Sequence, residues 1–294
     1  MARLFGLIGN RADLAPRVLA FEREALRVRS RNAPLGWGIG FYQSGEVLMR
    51  RRPIDDRAEH ESIDMAANAA DVRGDAVLGH VRAAPVGTMR TENTHPFRYR
   101  QWLFAQTGTL PVFADARERL LSSVPEFLRS GIRGDTDAEV TFHIFLSFLH
   151  DHAQLSDGKA VEPAYVREAL RSTLALVDGM AAEFGSEPAR LNIAITDGEN
   201  MVLSHRGERM GYRVFAGKSD ADMILGEDRD LRRRTPELSQ MHFVLVASDF
   251  DGDDGAGPLA RESAAASDPL WKSVPEYAIV SVSRGKLPEI EPLS

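Results

Sequence analysis

The chain has 294 residues, 43% apolar and 27% charged, which is the balance of an ordinary soluble globular protein, and no glycine/serine-rich linker divides it, so residues 1–294 read as a single domain. A net charge of −7 argues against a nucleic-acid or anionic-membrane partner. With no cysteine anywhere, thiolate chemistry, disulfides and cysteine-bound metals are excluded.

Taken in order, Arg3–Gly9 reads as a buried strand, and Asn10–Asp13 supplies turn and cap chemistry. Leu14, Val18, Phe21, Ala25 and Leu26 recur at helical spacing and predict a helix running towards Arg29. This amino terminus is too short and too weakly apolar for a signal peptide, and nothing approaches a membrane span, so the expected location is cytoplasmic. After a loop at Asn32–Gly36, the glycines of Gly36-Trp37-Gly38-Ile39-Gly40-Phe41-Tyr42 alternate with large residues, as suits a strand passing close to other backbone. Ser44-Gly45 turns the chain into a returning strand, Glu46–Arg51. Arg57–Ala70 carries few apolar residues and predicts a polar-faced helix. The runs Arg50–Arg52 and Arg232–Arg234 lack interleaved aromatics or glycines and read as solvated edges.

The stretch Gly79–Leu110 organises the centre. One strand, Ala76–Val81, delivers Arg82, whose guanidinium can make a paired hydrogen bond to a carboxylate. A second, Trp102–Ala105, runs into Gln106-Thr107-Gly108-Thr109, where a glycine lets backbone N–H groups approach a ligand. Helical patterns follow at Asp115–Ser130, with Pro125 placed to divide it, at Val140–Leu149, opened by Asp137, and at Pro163–Gly185. From Arg190 the period changes to strands: Leu191–Thr196, Met201–His205, Arg213–Ala216, His242–Ala247 and Tyr277–Ser283. Strands at both ends with long helices between them give an α+β chain and suggest two stacked antiparallel sheets with helices outside. Alternating carboxylates in Ser248–Gly255 suit a hard cation, but an EF-hand would need glycine at Asp254 and glutamate at Ala260, so the stretch reads as an acidic surface loop. Trp271–Pro275 reads as packing.

Five short motifs stand in one order: Met1-Ala2-Arg3-Leu4-Phe5-Gly6, the Gly36–Tyr42 run, His80-Val81-Arg82-Ala83-Ala84, Asn93-Thr94-His95-Pro96-Phe97 and Gly134-Asp135-Thr136-Asp137-Ala138-Glu139. Together they resemble the class II glutamine amidotransferases, in particular the short glutaminase-like proteins that lack a fused synthase domain. The resemblance implies the four-layer αββα sandwich of the amino-terminal-nucleophile hydrolases, with no cofactor and no metal. It also implies that Arg82 grips the α-carboxylate of glutamine and Asp137 holds its α-ammonium. Read without it, Arg82 is a surface charge at a strand end and Asp137 a helix N-cap. Asn93 and His95 resemble a loop shaping the pocket floor, with His95 a satisfied structural histidine.

The departures bear on chemistry. In the family a cysteine follows the initiator methionine; here Ala2 stands there, and a methyl group can neither attack nor ionise. Where the family has Ala-His-Asn-Gly, this chain has Ala105-Gln106-Thr107-Gly108, so the amide donor to the oxyanion is lost at Thr107 while the Gly108 N–H remains. Pro85 replaces a more usual threonine. Three readings follow: an inactive relative that keeps part of a glutamine, glutamate or γ-glutamyl pocket and senses a ligand or binds a protein partner; an active glutamine amidohydrolase in which the cysteine has been replaced by Ala2; or a scaffold that binds no small ligand.

Overall fold

Period-two apolar runs become strands and 3.6-period runs become helices in the computed structural model, which describes residues 2–29, 36–54, 62–82, 88–152, 155, 160–227, 232–233, 237–248 and 270–293. The first part comprises β1 (Arg3–Gly9), α1 (Ala15–Phe21), β2 (Arg27–Arg29), β3 (Gly36–Gln43), β4 (Glu46–Pro53), β5 (Ser62–Asp64), α2 (Met65–Asn68) and β6 (Ala76–Arg82). A single 3-10 turn, Thr91–Asn93, leads into β7 (Phe97–Tyr99) and β8 (Trp102–Thr107). Then come α3 (Phe113–Ser122), α4 (Glu126–Arg129), α5 (Asp137–Asp151) and α6 (Pro163–Glu183). The chain closes with β9 (Asn192–Thr196), β10 (Asn200–His205), β11 (Met210–Ala216), α7 (Gly217–Leu225), β12 (His242–Ser248), β13 (Trp271–Ser273), β14 (Ala278–Ser283) and β15 (Glu289–Pro292).

Two antiparallel sheets result. One has the order β13-β11-β12-β1-β6-β3-β4 and the other β15-β14-β10-β9-β8-β7, while β2 and β5 pair by themselves. Side-chain alternation stacks them. Leu4 and Ile8 of β1 share a core with Leu78, Leu103, Ala105, Ala194 and Val246, between the sheets. Phe5 and Leu7 point the other way, onto Val18 and Leu19 of α1 and Ile224 and Leu225 of α7. Phe104, Ile193 and Ile195 of the second sheet meet Phe142 and Phe145 of α5 and Leu170 and Leu174 of α6. The arrangement is the four-layer αββα sandwich expected, and each fully buried Leu or Phe in these layers contributes about 1.5–3 kcal/mol.

Several local expectations need correction. The first helix stops at Phe21, not near Arg29, because Glu22 turns its carboxylate into the core, where it pairs with Arg213 and accepts the Trp271 indole N–H at 3.1 Å. The polar-faced helix over Arg57–Ala70 gives way, in its described part, to β5 and the single turn of α2, capped by Asp64 accepting the Ala67 N–H at 2.9 Å. Pro125 does divide the next helical run, into α3 and α4. Trp271 is buried, as packing requires, on the edge strand β13. Residues Asn32–Leu35, Pro85 and Asp249–Gly255 lie outside the described residues. Among the described residues, no helix is long and apolar enough to cross a membrane.

Candidate functional site

The site is built where β1 begins and β6 and β8 end. Arg3 pairs with Val81, so continuing the antiparallel register by one residue sets Ala2 opposite Arg82. On the other side of β6, Arg82 pairs with Gly36 of β3. By alternation Ala2, His80 and Arg82 face the second sheet, as Leu4 and Leu78 do. Arg82 is 1% exposed and is no surface charge. Its Nη1 donates to the Thr88 carbonyl at 3.0 Å. Burial lowers its pKa, while the charges of Asp135 and Asp137 act in the opposite sense.

Asp137 is not the cap of α5. That role falls to Thr136, whose hydroxyl accepts the Glu139 N–H at 3.3 Å. Asp137 occupies the first helical position, 4% exposed, and its Oδ2 accepts the Leu110 N–H at 2.8 Å. Burial pushes its carboxyl up to about 6, against hydrogen bonds from Leu110 and Ala138 and the charge of Arg82. An ammonium group brought beside it would favour the ionised form again.

Gly108 closes β8 at φ +86°, where a Cβ would stand 2.0 Å from the Arg190 carbonyl oxygen, so the turn that aims this N–H admits only glycine. A Cβ on Gly38 would likewise meet the His95 carbonyl at 2.0 Å; this close approach is what the glycine alternation in β3 provides. Asn93 is fully engaged in holding the loop. Its amide donates to the Thr88 carbonyl at 2.8 Å and to an Asp135 carboxylate oxygen, and its Oδ1 accepts the Asp135 N–H at 2.9 Å.

The remaining polar groups form a second, different cluster. His80 Nε2 lies 2.9 Å from the Gln106 carbonyl, which can only accept, so Nε2 carries the proton and Nδ1 is bare. The His80 and His95 rings lie 4.0 Å apart between centroids, tilted by 33°. Burial pushes His80 down to about 3 and His95 well below its ordinary value, so both rings are neutral. His95 is buried as expected but not satisfied: neither ring nitrogen has a hydrogen-bond partner among the described residues, nor do His80 Nδ1, the Gln106 amide or the Thr107 hydroxyl. Sequence reasoning singled out Gln106 and Thr107 together. The structure separates them, since Trp102 and Phe104 put Gln106 on the helix-facing side of β8, while Leu103 and Ala105 put Thr107 between the sheets. His80 and Thr88 went unremarked as site residues; the two-residue spacing of His80 and Arg82 on one strand was the available signal for the first.

A family profile described as class II glutamine amidotransferases matches residues 1–247. A probable glutamine amidotransferase of Saccharomyces cerevisiae is 24% identical over 272 residues, covering 85% of this chain and 69% of the yeast protein. Among solved structures, a glutamine aminotransferase class-II domain protein from Silicibacter pomeroyi superposes with a TM-score of 0.57 at 16% identity, over 99% of this chain and 98% of that one. Glutamine phosphoribosylpyrophosphate amidotransferase from B. subtilis gives 0.53 at 14% identity, over 99% of this chain and 49% of that longer one.

Proposed function

The chain belongs to the class II glutamine amidotransferases, and we propose that it is a catalytically inactive member that keeps part of a glutamine, glutamate or γ-glutamyl pocket and serves as a ligand-sensing or partner-binding subunit. The observation that carries this reading is Ala2 opposite Arg82 in a chain with no cysteine. Releasing ammonia from a γ-amide by the covalent route requires a nucleophile to bond the carbonyl carbon, an amine to take its proton and pass it to the leaving nitrogen, and donors for the oxyanion. A methyl group supplies neither the bond nor the proton. Arg82 and Asp137, both buried and mutually attracted, are suited to an α-carboxylate and an α-ammonium.

Ammonia release from glutamine, and labelling by an electrophilic glutamine analogue, are both expected at background. Release above background that Arg82→Ala abolishes would overturn the reading. Calorimetry with glutamine, glutamate and γ-glutamyl compounds should show weak binding that Arg82→Ala removes; no heat with any of them would favour a scaffold. The other reading, a working amidohydrolase with its cysteine replaced, draws on the Thr107 hydroxyl, which faces between the sheets without a partner among the described residues. Ala2→Cys decides it. Groups that act as a unit fail together, so the single variant should stay inactive, and Ala2→Cys with Thr107→Asn should exceed it by roughly 10²-fold, the worth of one oxyanion donor.

A further inference from the structure

A cleft of about 570 Å³ opens beside the first two turns of α5, and none of Ala2, Arg82, Gly108 or Asp137 lines it. Its wall presents four arginines, Arg51, Arg90, Arg98 and Arg133, against two carboxylates, Glu92 and Glu139. Glu139 is already occupied, since its two oxygens accept the Arg133 and Gly134 N–H groups at 2.9 and 2.6 Å. Backbone carbonyls take only part of what the guanidinium groups offer: Thr94 receives from Arg51 at 3.3 Å, and Val47 and Arg100 receive from Arg98 at 3.0 and 2.9 Å. Arg90 donates to the Thr88 hydroxyl at 2.8 Å and lies 3.7 Å from Asp135. Each guanidinium carries five N–H donors, so most of them have no protein partner among the described residues, and the wall carries an excess of positive charge.

A second feature comes from the helix. His143, 2% exposed, lines the same cleft. Its Nδ1 lies 2.9 Å from the Glu139 carbonyl, so the proton sits there and Nε2 is a bare acceptor, buried and without a partner among the described residues. Burial keeps the ring neutral. Nε2 lies only 3.1 Å from where a Cβ on Gly131 would stand, and Gly131 also lines the cleft. A buried acceptor beside converging guanidinium groups asks for a ligand that is negative overall and brings one hydroxyl hydrogen.

We propose that this cleft binds a small anion that also carries an O–H group, a monohydrogen phosphate or a hydroxycarboxylate, at a site separate from the glutamine pocket. The guanidinium groups pair with the anionic oxygens, and His143 Nε2 accepts the O–H. The test is calorimetric titration of the full chain with inorganic phosphate, malate and sulfate, the last having no O–H at neutral pH. Phosphate or malate should bind saturably and at least tenfold more tightly than sulfate, and the tighter of the two identifies the anion class. Arg51→Gln and Arg133→Gln should each weaken that binding at least tenfold. Arg133 is exposed and has no side-chain partner among the described residues, so its variant leaves the fold intact. His143→Leu should erase the preference over sulfate. No saturable binding of either anion, or binding unchanged in both arginine variants, overturns the proposal.

Discussion

Two polar regions meet at the candidate site, and they are built on opposite terms. On one side the Asn93–Asp135–Glu139 clasp is closed: every polar atom of the Asn93 amide is engaged, Glu139 holds two backbone N–H groups, and Thr94 bonds back to the Arg90 carbonyl at 3.0 Å. On the other, His80 Nδ1, both nitrogens of His95, the Gln106 amide and the Thr107 hydroxyl are buried and have no partner among the described residues. A closed network fixes geometry, whereas each orphan costs desolvation without return. The clasp is therefore what holds Thr88 against Arg82, whereas the open cluster fixes no such partner.

The largest expected effect comes from opening the clasp. Asn93→Ala removes donors and acceptor at once from a fully buried position and unties Asp135 from Thr88, which should lower unfolding stability by about 3 kcal/mol. Denaturant unfolding measures it, with circular dichroism to confirm the native fold. Glutamine binding should weaken in the same variant, because the Thr88 carbonyl that orients Arg82 loses its second donor. A loss below about 1 kcal/mol would mean that water replaces the asparagine and that the clasp is no more rigid than the open cluster.

How much of this contrast was legible beforehand depends on the element. Strands β1, β3 and β6 were readable because continuous apolar runs and close-approach glycines have few other solutions, and α5 because Val140–Leu149 is strongly apolar at helical spacing, although Thr136 and not Asp137 caps it. Edge strands β7, β13 and β15, three or four residues each, carry too little pattern to be seen without their neighbours. In the site, the order of Arg82, Gly108 and Asp137 was visible from their motifs. Their partners were not: that Leu110 bonds Asp137 is a consequence of how distant segments pack, and the opposite faces of Gln106 and Thr107 follow from β8 running on to Thr107, past the Ala105 where its apolar pattern ends. Glu139 shows the limit well, for its spacing suggests a capping box, yet its carboxylate reaches to Arg133 and Gly134 instead.

A smaller effect separates the two regions by pH. His95 and His80 have folded pKa values below the unfolded value near 6.5, so below that pH the unfolded chain binds more protons than the native one. Their contribution is complete above pH 6.5 and is lost as pH falls, for His80 until about 3. Asp137 runs the other way. Its carboxyl is raised to about 6, so the native state takes up the extra proton between there and the unfolded value, and stability is regained over that window. Comparing the wild type with His95→Phe isolates one histidine, with a ring still available to stack. The variant should lose about 2 kcal/mol less than the wild type between pH 7 and pH 5. Parallel pH profiles would place His95 in contact with water and remove it from the open cluster.

The smallest effect has the opposite sign and sharpens the comparison most. The Gln106 amide is buried on the side of Trp102, Phe104 and the α5–α6 layer, with neither end partnered among the described residues, so Gln106→Leu replaces an uncompensated desolvation with a side chain of similar volume. Stability should be unchanged or rise by up to about 1 kcal/mol, read as a higher urea midpoint at constant slope. Because Gln106 points away from Ala2 and Arg82, glutamine binding should not move. Thr107→Val is the matched control on the other face: it should do little to stability and should weaken a ligand that reaches the Thr107 hydroxyl. The two substitutions then divide what the sequence presents as one lesion, with Gln106 belonging to the packing of the second sheet and Thr107 to the pocket. If Gln106→Leu destabilised the protein by 1 kcal/mol or more, the amide would have partners after all, and the open cluster would shrink to the two histidines and Thr107.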